Sequence, residues 1–315
     1  MLAYLLFFIN VSLVIINSAV MSLIICLLAI FKLIVPIKTF RRWITYSANR
    51  VMWLWATING VILRATNDVE WDIKGVKGLS QDAWYLMFSN HRSWTDIVVL
   101  CYVFKDSIPM PKFFLKQQLL YVPFIGMACW ALDMPFMRRY SREFLLRNPE
   151  KRGQDLHTTR RSCAKFKHIP TTVVNYVEGT RFTDQKHAKS KAGYQHLLQP
   201  KSGGIAYTLA AMGEQFDQII DVTLAYPDNT EQPFKDMLMG RMKRIVVDVE
   251  LLPIDEQVSG DYFNDKKYKR QFQLWLGEVW QRKDAKLASI YQSASPQSQP
   301  SGEQSELPVG LKKEP

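Results

Sequence analysis

The chain has 315 residues, 48% hydrophobic and 22% charged, which is enough for one sizeable catalytic domain plus an attachment and excludes disorder over most of its length. Its 40 Lys and Arg against 29 Asp and Glu leave a net +11, which points to a polyanion, a phosphorylated substrate or an anionic membrane surface as a neighbour. The four cysteines (Cys26, Cys101, Cys129 and Cys163) form no CxxC pair, so a zinc cluster, a thioredoxin-type redox centre and a disulfide framework are all disfavoured.

Residues 1–31 carry no charged side chain; the first is Lys32. This exceeds the roughly 20 apolar residues needed to cross a bilayer core. Asn10, Ser12, Asn17, Ser18 and Ser22 interrupt the run, so one tilted helix and a re-entrant pair both fit. A signal peptide fits poorly, because no basic region opens the run and no small-residue cleavage site closes it. Residues 1–36 are therefore expected to be a retained membrane anchor. Lys32, Lys38, Arg41, Arg42 and Arg50 crowd its carboxyl side, and the positive-inside rule then puts the bulk of the chain in the cytoplasm. Across residues 37–66, Arg41, Arg42 and Arg50 alternate with Trp43, Tyr46, Met52, Trp53, Trp55 and Ile58 at helical spacing. That pattern suits an amphipathic helix in the headgroup plane, or one packed on the soluble core.

Residues 67–289 read as alternating strands and helices. Strand-like runs are Val69–Val76, Trp84–Phe88, Thr171–Val177, Ile219–Ala225 and Arg244–Leu252. Helical patterns lie near Trp94–Phe104, Lys116–Trp130, Asp155–His168, Gly203–Met212 and Lys267–Lys286. The expected fold is α/β, a mixed central sheet flanked by helices, with membrane-anchoring helices at the amino terminus. Residues 290–315, rich in Ser, Gln, Pro and Glu, are expected to form a disordered tail.

Two strand ends carry chemistry. The run Trp84–Phe88 feeds Asn90-His91-Arg92-Ser93-Trp94-Thr95-Asp96, and ligands in open α/β sheets gather beyond such carboxyl ends. If the turn folds back, Asp96 can accept a hydrogen bond from one imidazole nitrogen of His91, leaving the other to take a proton from a hydroxyl. The alternative is a helix-capping Asp96 beside an ordinary loop histidine. The second strand, Thr171–Val177, empties into Glu178-Gly179-Thr180-Arg181. There Arg181 offers a donor fork suited to phosphate. Glu178 is either its partner or an acceptor for a substrate hydroxyl, unless the whole segment is a surface turn. Between these loops, Arg138 to Lys167 holds ten Lys and Arg against Glu143, Glu150 and Asp155, much of it a solvated helix face. No Gly-x-Ser-x-Gly, P-loop or His-Glu-x-x-His motif occurs, so neither a serine hydrolase, a P-loop enzyme nor a bound metal is expected.

Taken together, these segments resemble the PlsC-type glycerolipid (lysophosphatidic acid) acyltransferases, whose four sequence blocks recur in order between residues 90 and 226. Asn90-His91 through Asp96 matches the Asn-His-x4-Asp block. Lys116 through Pro123, with Gly126 and Phe136-Met137-Arg138, resembles the second block, and Glu178-Gly179-Thr180-Arg181 matches the third. The third block reads Tyr176-Val177 where many relatives have Phe-Pro, and the fourth, Ile219 through Pro227, also departs from the usual proline-centred form. Both variants, with the stretch Asn90–Arg139, are similar to the YihG-like branch, which is shared with animal lysocardiolipin acyltransferases.

The resemblance implies His91 as general base and Asp96 as its orienting partner. It implies Arg138 and Arg181 as ligands of the acceptor's phosphate, with Glu178, Gly179 and Thr180 shaping that pocket and Lys116 and Lys201 as further contacts. No cofactor or metal is implied; acyl-CoA or acyl carrier protein would be the donor substrate. The acceptor would be a lysophospholipid, foremost 1-acylglycerol-3-phosphate giving phosphatidic acid, with lysophosphatidylglycerol or lysocardiolipin as alternatives. A non-catalytic lipid-binding membrane protein would retain the same fold. Membrane lipids are the expected partners and nucleic acid is not; the oligomeric state is left open. A bacterial inner membrane, with the catalytic domain on its cytoplasmic side, is the expected location.

Overall fold

A computed structural model describes residues 1–122, 125–137, 169–190 and 193–294, together with Phe144, Arg147, Asn148, Cys163, Ala164 and Phe166. The charge-free run forms one helix, α1 (Leu2–Ile34), and not a re-entrant pair. Its Leu, Ile and Ala content favours helix, and Lys32 in the last turn suits the negative end of the helix dipole. A short turn at Val35–Ile37 returns the chain as α2 (Lys38–Thr66), which packs back along α1.

Of the polar residues that interrupt α1, Asn10 and Asn17 are buried, Ser18 and Ser22 are half-buried, and Ser12 is exposed. Asn10 Nδ2 donates to the Leu238 carbonyl at 2.9 Å and to Thr66 Oγ1 at 3.1 Å. Asn17 Nδ2 donates to the Trp55 carbonyl at 3.2 Å, and Trp55 Nε1 donates to Ser18 Oγ at 3.0 Å. At the far end Lys32 Nζ reaches Asp133 at 2.8 Å and the Ala131 carbonyl at 3.1 Å. The opposite face, including Leu5, Phe8, Ile16, Val20, Leu23 and Leu27, is exposed and apolar. α2 divides similarly: Ile44, Ala48, Ala56, Gly60 and Leu63 are buried, while Trp43, Tyr46, Leu54 and Val61 face outward. The inward face therefore packs on the protein, as one of the two expectations has it, and the outward face presents exposed aromatic and apolar side chains.

The catalytic-size domain is built on a six-stranded sheet in the order β1-β8-β7-β2-β6-β3. Its strands are β1 (Glu70–Lys74), β2 (Tyr85–Ser89), β3 (Pro111–Phe113), β6 (Thr172–Tyr176), β7 (Gln218–Ala225) and β8 (Arg244–Pro253). β7, β2, β6 and β3 run parallel; β8 is antiparallel to β7, and β1 is parallel to β8. Two short strands, β4 (Leu115–Lys116) and β5 (Phe136–Met137), pair separately. The core lies on both faces of the sheet, so central strands are apolar throughout instead of alternating. Leu86 and Phe88 pack under Phe272, Leu276 and Trp280 of the long C-terminal helix. Tyr85 and Met87 pack on Val99, Leu100 and Phe104 of α3 (Thr95–Phe104).

After α3, the described helices are α4 (Ile125–Ala131), α5 (Asp184–Lys189), α6 (Ser202–Met212), α7 (Pro233–Leu238) and α8 (Lys266–Ala294). Two sequence expectations change. Lys116–Trp130 is not one helix: Lys116 ends β4, Gln117–Tyr121 is a 3-10 turn, and α4 follows. Gly126 explains the break, because a Cβ there would collide with the Leu120 carbonyl. α8 continues to Ala294, so residues 290–294 belong to it, and residues 295–315 lie outside the described residues. The helix expected over Asp155–His168 and most of the basic run from Arg138 also lie outside them.

Candidate active site

Because β2, β6 and β7 are parallel neighbours, their carboxyl ends open on one edge. The chain leaves β2 for β3 and β6 on one side and then crosses to β7 on the other, so β2 marks the switch point where a crevice forms. Asn90 ties this edge together. It is wholly buried, and its side-chain amide donates to the Leu224 carbonyl at 2.8 Å while accepting from the Leu224 N–H at 2.9 Å.

Beyond Asn90 the loop folds back. His91 Nδ1 and Asp96 Oδ2 are 2.7 Å apart. Asp96 is fully buried in the first turn of α3, where the positive end of the helix favours its carboxylate. Oδ2 also accepts the N–H groups of Arg92 at 2.7 Å and Ser93 at 3.0 Å, and Oδ1 accepts the Tyr226 hydroxyl at 2.8 Å. A carboxylate so placed accepts a proton-bearing Nδ1, which leaves the Nε2 lone pair unspent. The imidazole side chain keeps 15% of its surface exposed, so it is reachable from solvent. Its plane is fixed by stacking on Tyr176 at 4.0 Å between ring centroids, and Tyr176 stacks in turn on Phe113. Burial, with the nearby Asp96 charge, pushes the Tyr176 and Tyr226 phenols well above the usual range, so both are hydroxyls and never phenolates at physiological pH.

The Glu178–Arg181 loop meets the His91 loop directly. The Phe182 N–H donates to the His91 carbonyl at 2.7 Å. Glu178 is buried, and its two oxygens accept the N–H groups of His91 at 3.1 Å and Leu198 at 3.2 Å. It is therefore neither the ion-pair partner of Arg181 nor an exposed acceptor for substrate, the two roles its spacing suggested. Burial raises its pKa to about 7 against the lowering effect of those two N–H donors and Arg92, with Asp96 adding to the rise. Gly179 takes a left-handed φ of 68°, and the Lys201 side chain lies across it. Arg181 is exposed, its guanidinium 4.8 Å over the Trp94 ring, and the Lys186 ammonium donates to Thr180 Oγ1 at 2.7 Å.

A family model described as Acyltransferase matches residues 71–225, which enclose this geometry up to the residue before Tyr226. Residues 71–225 of the chain thus carry an acyltransferase-family domain. Among curated relatives of this acyltransferase, lysocardiolipin acyltransferase 1 of Mus musculus is 26% identical over 263 residues, covering 79% of this chain and 65% of that one. The 1-acyl-sn-glycerol-3-phosphate acyltransferase delta of Homo sapiens is 25% identical over 194 residues, covering 58% and 46%. The chain thus spans less than two thirds of the length of these relatives. Among solved structures, the LPA acyltransferase PlsC of Thermotoga maritima aligns over 87% of this chain and 96% of its own, at 14% identity and a TM-score of 0.46.

In this chain the first, third and fourth sequence blocks converge at one place: His91 and Asp96, Glu178 through Arg181, and Tyr226. The second is only partly visible. Lys116 pairs with Met137 through the β4–β5 backbone, its side chain lies outside the described set, and so does all of Arg138. Two residues escaped sequence reasoning as members of the site. Tyr226 reaches Asp96 across 130 positions, and Tyr176 packs on the imidazole; a tyrosine at the carboxyl end of each of the two strands flanking β2 was the available signal. Among the described residues no His, Cys, Asp and Glu cluster could hold a metal.

Proposed function

We propose that the protein moves a fatty acyl group from acyl-CoA or acyl carrier protein to the free hydroxyl of a lysophospholipid, most directly 1-acylglycerol-3-phosphate, with His91 as general base. The observation that carries this reading is the 2.7 Å His91–Asp96 contact, which leaves one imidazole nitrogen for the incoming hydroxyl. As the lipid oxygen attacks the thioester carbonyl, its proton passes to His91 Nε2 and a tetrahedral oxyanion forms. Collapse breaks the C–S bond, and the departing thiolate recovers the proton. Arg181, with Arg138, Gly179, Thr180, Lys116 and Lys201, would present cations and backbone amides to the acceptor's phosphate. Glu178 acts behind them, holding the His91 loop.

The anchor supports a bilayer substrate. α1 touches the domain from Leu6, beside Gly240, to Lys32, beside Asp133. That is about 39 Å of helix, longer than the ~30 Å hydrocarbon core. A helix so bound along its length cannot stand across a bilayer without drawing charged parts of the domain into hydrocarbon. We therefore place α1 along one leaflet, with its apolar face in lipid and the domain on the cytoplasmic side of a bacterial inner membrane. The acceptor's tails stay in the bilayer, which avoids ~0.8 kcal/mol for each methylene exposed.

A second acceptor class, lysocardiolipin or lysophosphatidylglycerol, is favoured by one observation: the lysocardiolipin acyltransferase relative aligns over 79% of this chain and the phosphate-acceptor relative over 58%. One experiment separates them. Membranes enriched in the protein are offered matched lyso-lipids with acyl-CoA or acyl carrier protein, and products are resolved by mass spectrometry. His91→Ala should lower the turnover found by about 100- to 10,000-fold while the protein stays in the membrane fraction. Undiminished transfer in that variant would refute the base assignment.

A further inference from the structure

A cleft of about 470 Å³ opens at the α1–α2 turn between Lys32, Lys38, Arg41, Arg42, Thr45 and Asp133. Asp133 is its one acid, and that carboxylate is already engaged by the Lys32 ammonium at 2.8 Å and the Thr45 hydroxyl at 3.2 Å. Lys38, Arg41 and Arg42 are exposed, and none of the three forms an ion pair or side-chain hydrogen bond with a described residue. Three cations within five positions therefore border one concavity, and among the described residues its lining holds no acid besides the engaged Asp133 to relieve their repulsion. An ordinary solvated helix face spreads its charges outward; these line a cavity.

The surroundings fix what kind of anion fits. Leu33, Ile34 and Ile37, at the tip of the same turn, are exposed and apolar, and Trp43 and Tyr46 are exposed on the next turns of α2. Aromatic and basic residues flanking an apolar tip mark the headgroup level of a bilayer. Arginine forks at that depth pair with phosphate oxygens two at a time. The cleft is separate from the catalytic crevice. The Tyr176 and Phe113 rings and Met134, whose sulfur accepts the Phe113 N–H, intervene between His91 and Asp133.

We infer that this cleft binds the phosphate headgroup of an anionic membrane phospholipid that is not the acyl acceptor. A phosphodiester lipid occupies it, sets its single negative charge among the three cations and holds the α1–α2 turn at the membrane surface. The inference rests on the membrane placement of α1 but not on acyl transfer, and its test reads binding alone.

The full chain in a neutral maltoside detergent is titrated with dihexanoyl-phosphatidylglycerol, dihexanoyl-phosphatidylcholine or inorganic phosphate. Affinity is read from the rise in unfolding temperature and from lipid adducts in native mass spectra. The proteins compared are wild type, the double variant Arg41→Gln with Arg42→Gln, and Arg181→Ala. Each basic residue near a membrane surface strengthens anionic-lipid binding about five-fold. Losing two should weaken phosphatidylglycerol binding roughly 30-fold, with wild-type affinity kept in Arg181→Ala. Phosphatidylglycerol binding unchanged in the double variant overturns the proposal. Loss of binding in Arg181→Ala alone does so too, because it places the lipid in the catalytic crevice. Equal affinity for phosphatidylcholine removes the anionic requirement, and equal affinity for inorganic phosphate makes this a free-anion site. If the double variant does not fold, Lys38→Gln, at an exposed position, serves instead, and about five-fold weakening is then expected.

Discussion

Glu178→Gln tests whether burial or hydrogen bonding governs the carboxyl that holds the His91 loop. The residue is 1% exposed, and its two oxygens accept backbone N–H groups of His91 and Leu198. If the N–H donors dominated, the folded pKa would fall below the ordinary 4.5; burial outweighs them and raises it to about 7. The folded state then holds a proton that the unfolded chain has already released between those two values. Stability from this group is complete below pH 4.5 and is lost as pH rises through 7. Between pH 5 and pH 8 the loss is about 2.5 kcal/mol, near 4 °C in unfolding temperature for a chain of this size. Glutamine has the same shape and no titration, so it removes the pH dependence, although its amide can accept from only one of the two N–H groups. The measurement is the unfolding temperature of both proteins in the same detergent from pH 5 to pH 8. The wild-type temperature minus the variant's should shrink as pH rises. A difference that grows with pH would show that the carboxylate is the favoured form and that the two N–H groups, not burial, set its charge.

Tyr226→Phe removes the hydroxyl that donates to the buried Asp96 Oδ1 at 2.8 Å. A hydrogen bond to a charged group contributes roughly 1.5–3 kcal/mol, so stability should fall by about 2 kcal/mol. If the bond also orients Asp96 and His91, kcat should drop on the order of tenfold with KM little changed. A loss of stability with full kcat would make Tyr226 structural only. Arg181→Ala leaves Trp94 without its stacked guanidinium and should raise KM for a phosphate-bearing lyso-lipid by about tenfold, more than for an unphosphorylated monoacylglycerol. Equal losses on both acceptors would remove the phosphate role.

Long buried strands were legible because apolar runs of five to ten residues have few other uses: Trp84–Phe88 and Arg244–Leu252 locate β2 and β8 to within a residue. β3, β4 and β5 were not, since strands of two or three residues carry no periodicity. The apolar content of Lys116–Trp130 suggested one helix, but Pro123 and Gly126 within it were the better signal of a break. At the site, His91 and Asp96 are five positions apart, and local spacing was enough to suggest that they could pair. Their supports come from far along the chain, as Tyr226 and Glu178 show. Lys283 is a similar case. The end of α8 reads as an exposed charged helix, yet Lys283 is buried against Asp221 at 2.8 Å and donates to the Val222 carbonyl. Only the three-dimensional register of α8 on β7 turns that lysine inward.

The interruptions in α1 make the same point in the opposite direction. In sequence, Asn10, Asn17 and Ser18 weaken an otherwise apolar span; in the fold they are the seam by which α1 grips α2 and α7. Turning these three toward the protein leaves the outward face largely apolar, with Ser12 the exposed exception among the interruptions, and a mostly apolar face is what a helix bathed in lipid on one side requires. The seam also reaches the chemistry. α2 packs on α3 through Gly60, where any side chain would collide with the Tyr102 ring, and α3 carries Asp96 in its first turn. With α1 and α2 set in a bilayer as proposed above, their depth and the position of the His91–Asp96 pair are coupled through this one close contact. A lyso-lipid hydroxyl at the headgroup level would meet the imidazole without either partner leaving its layer.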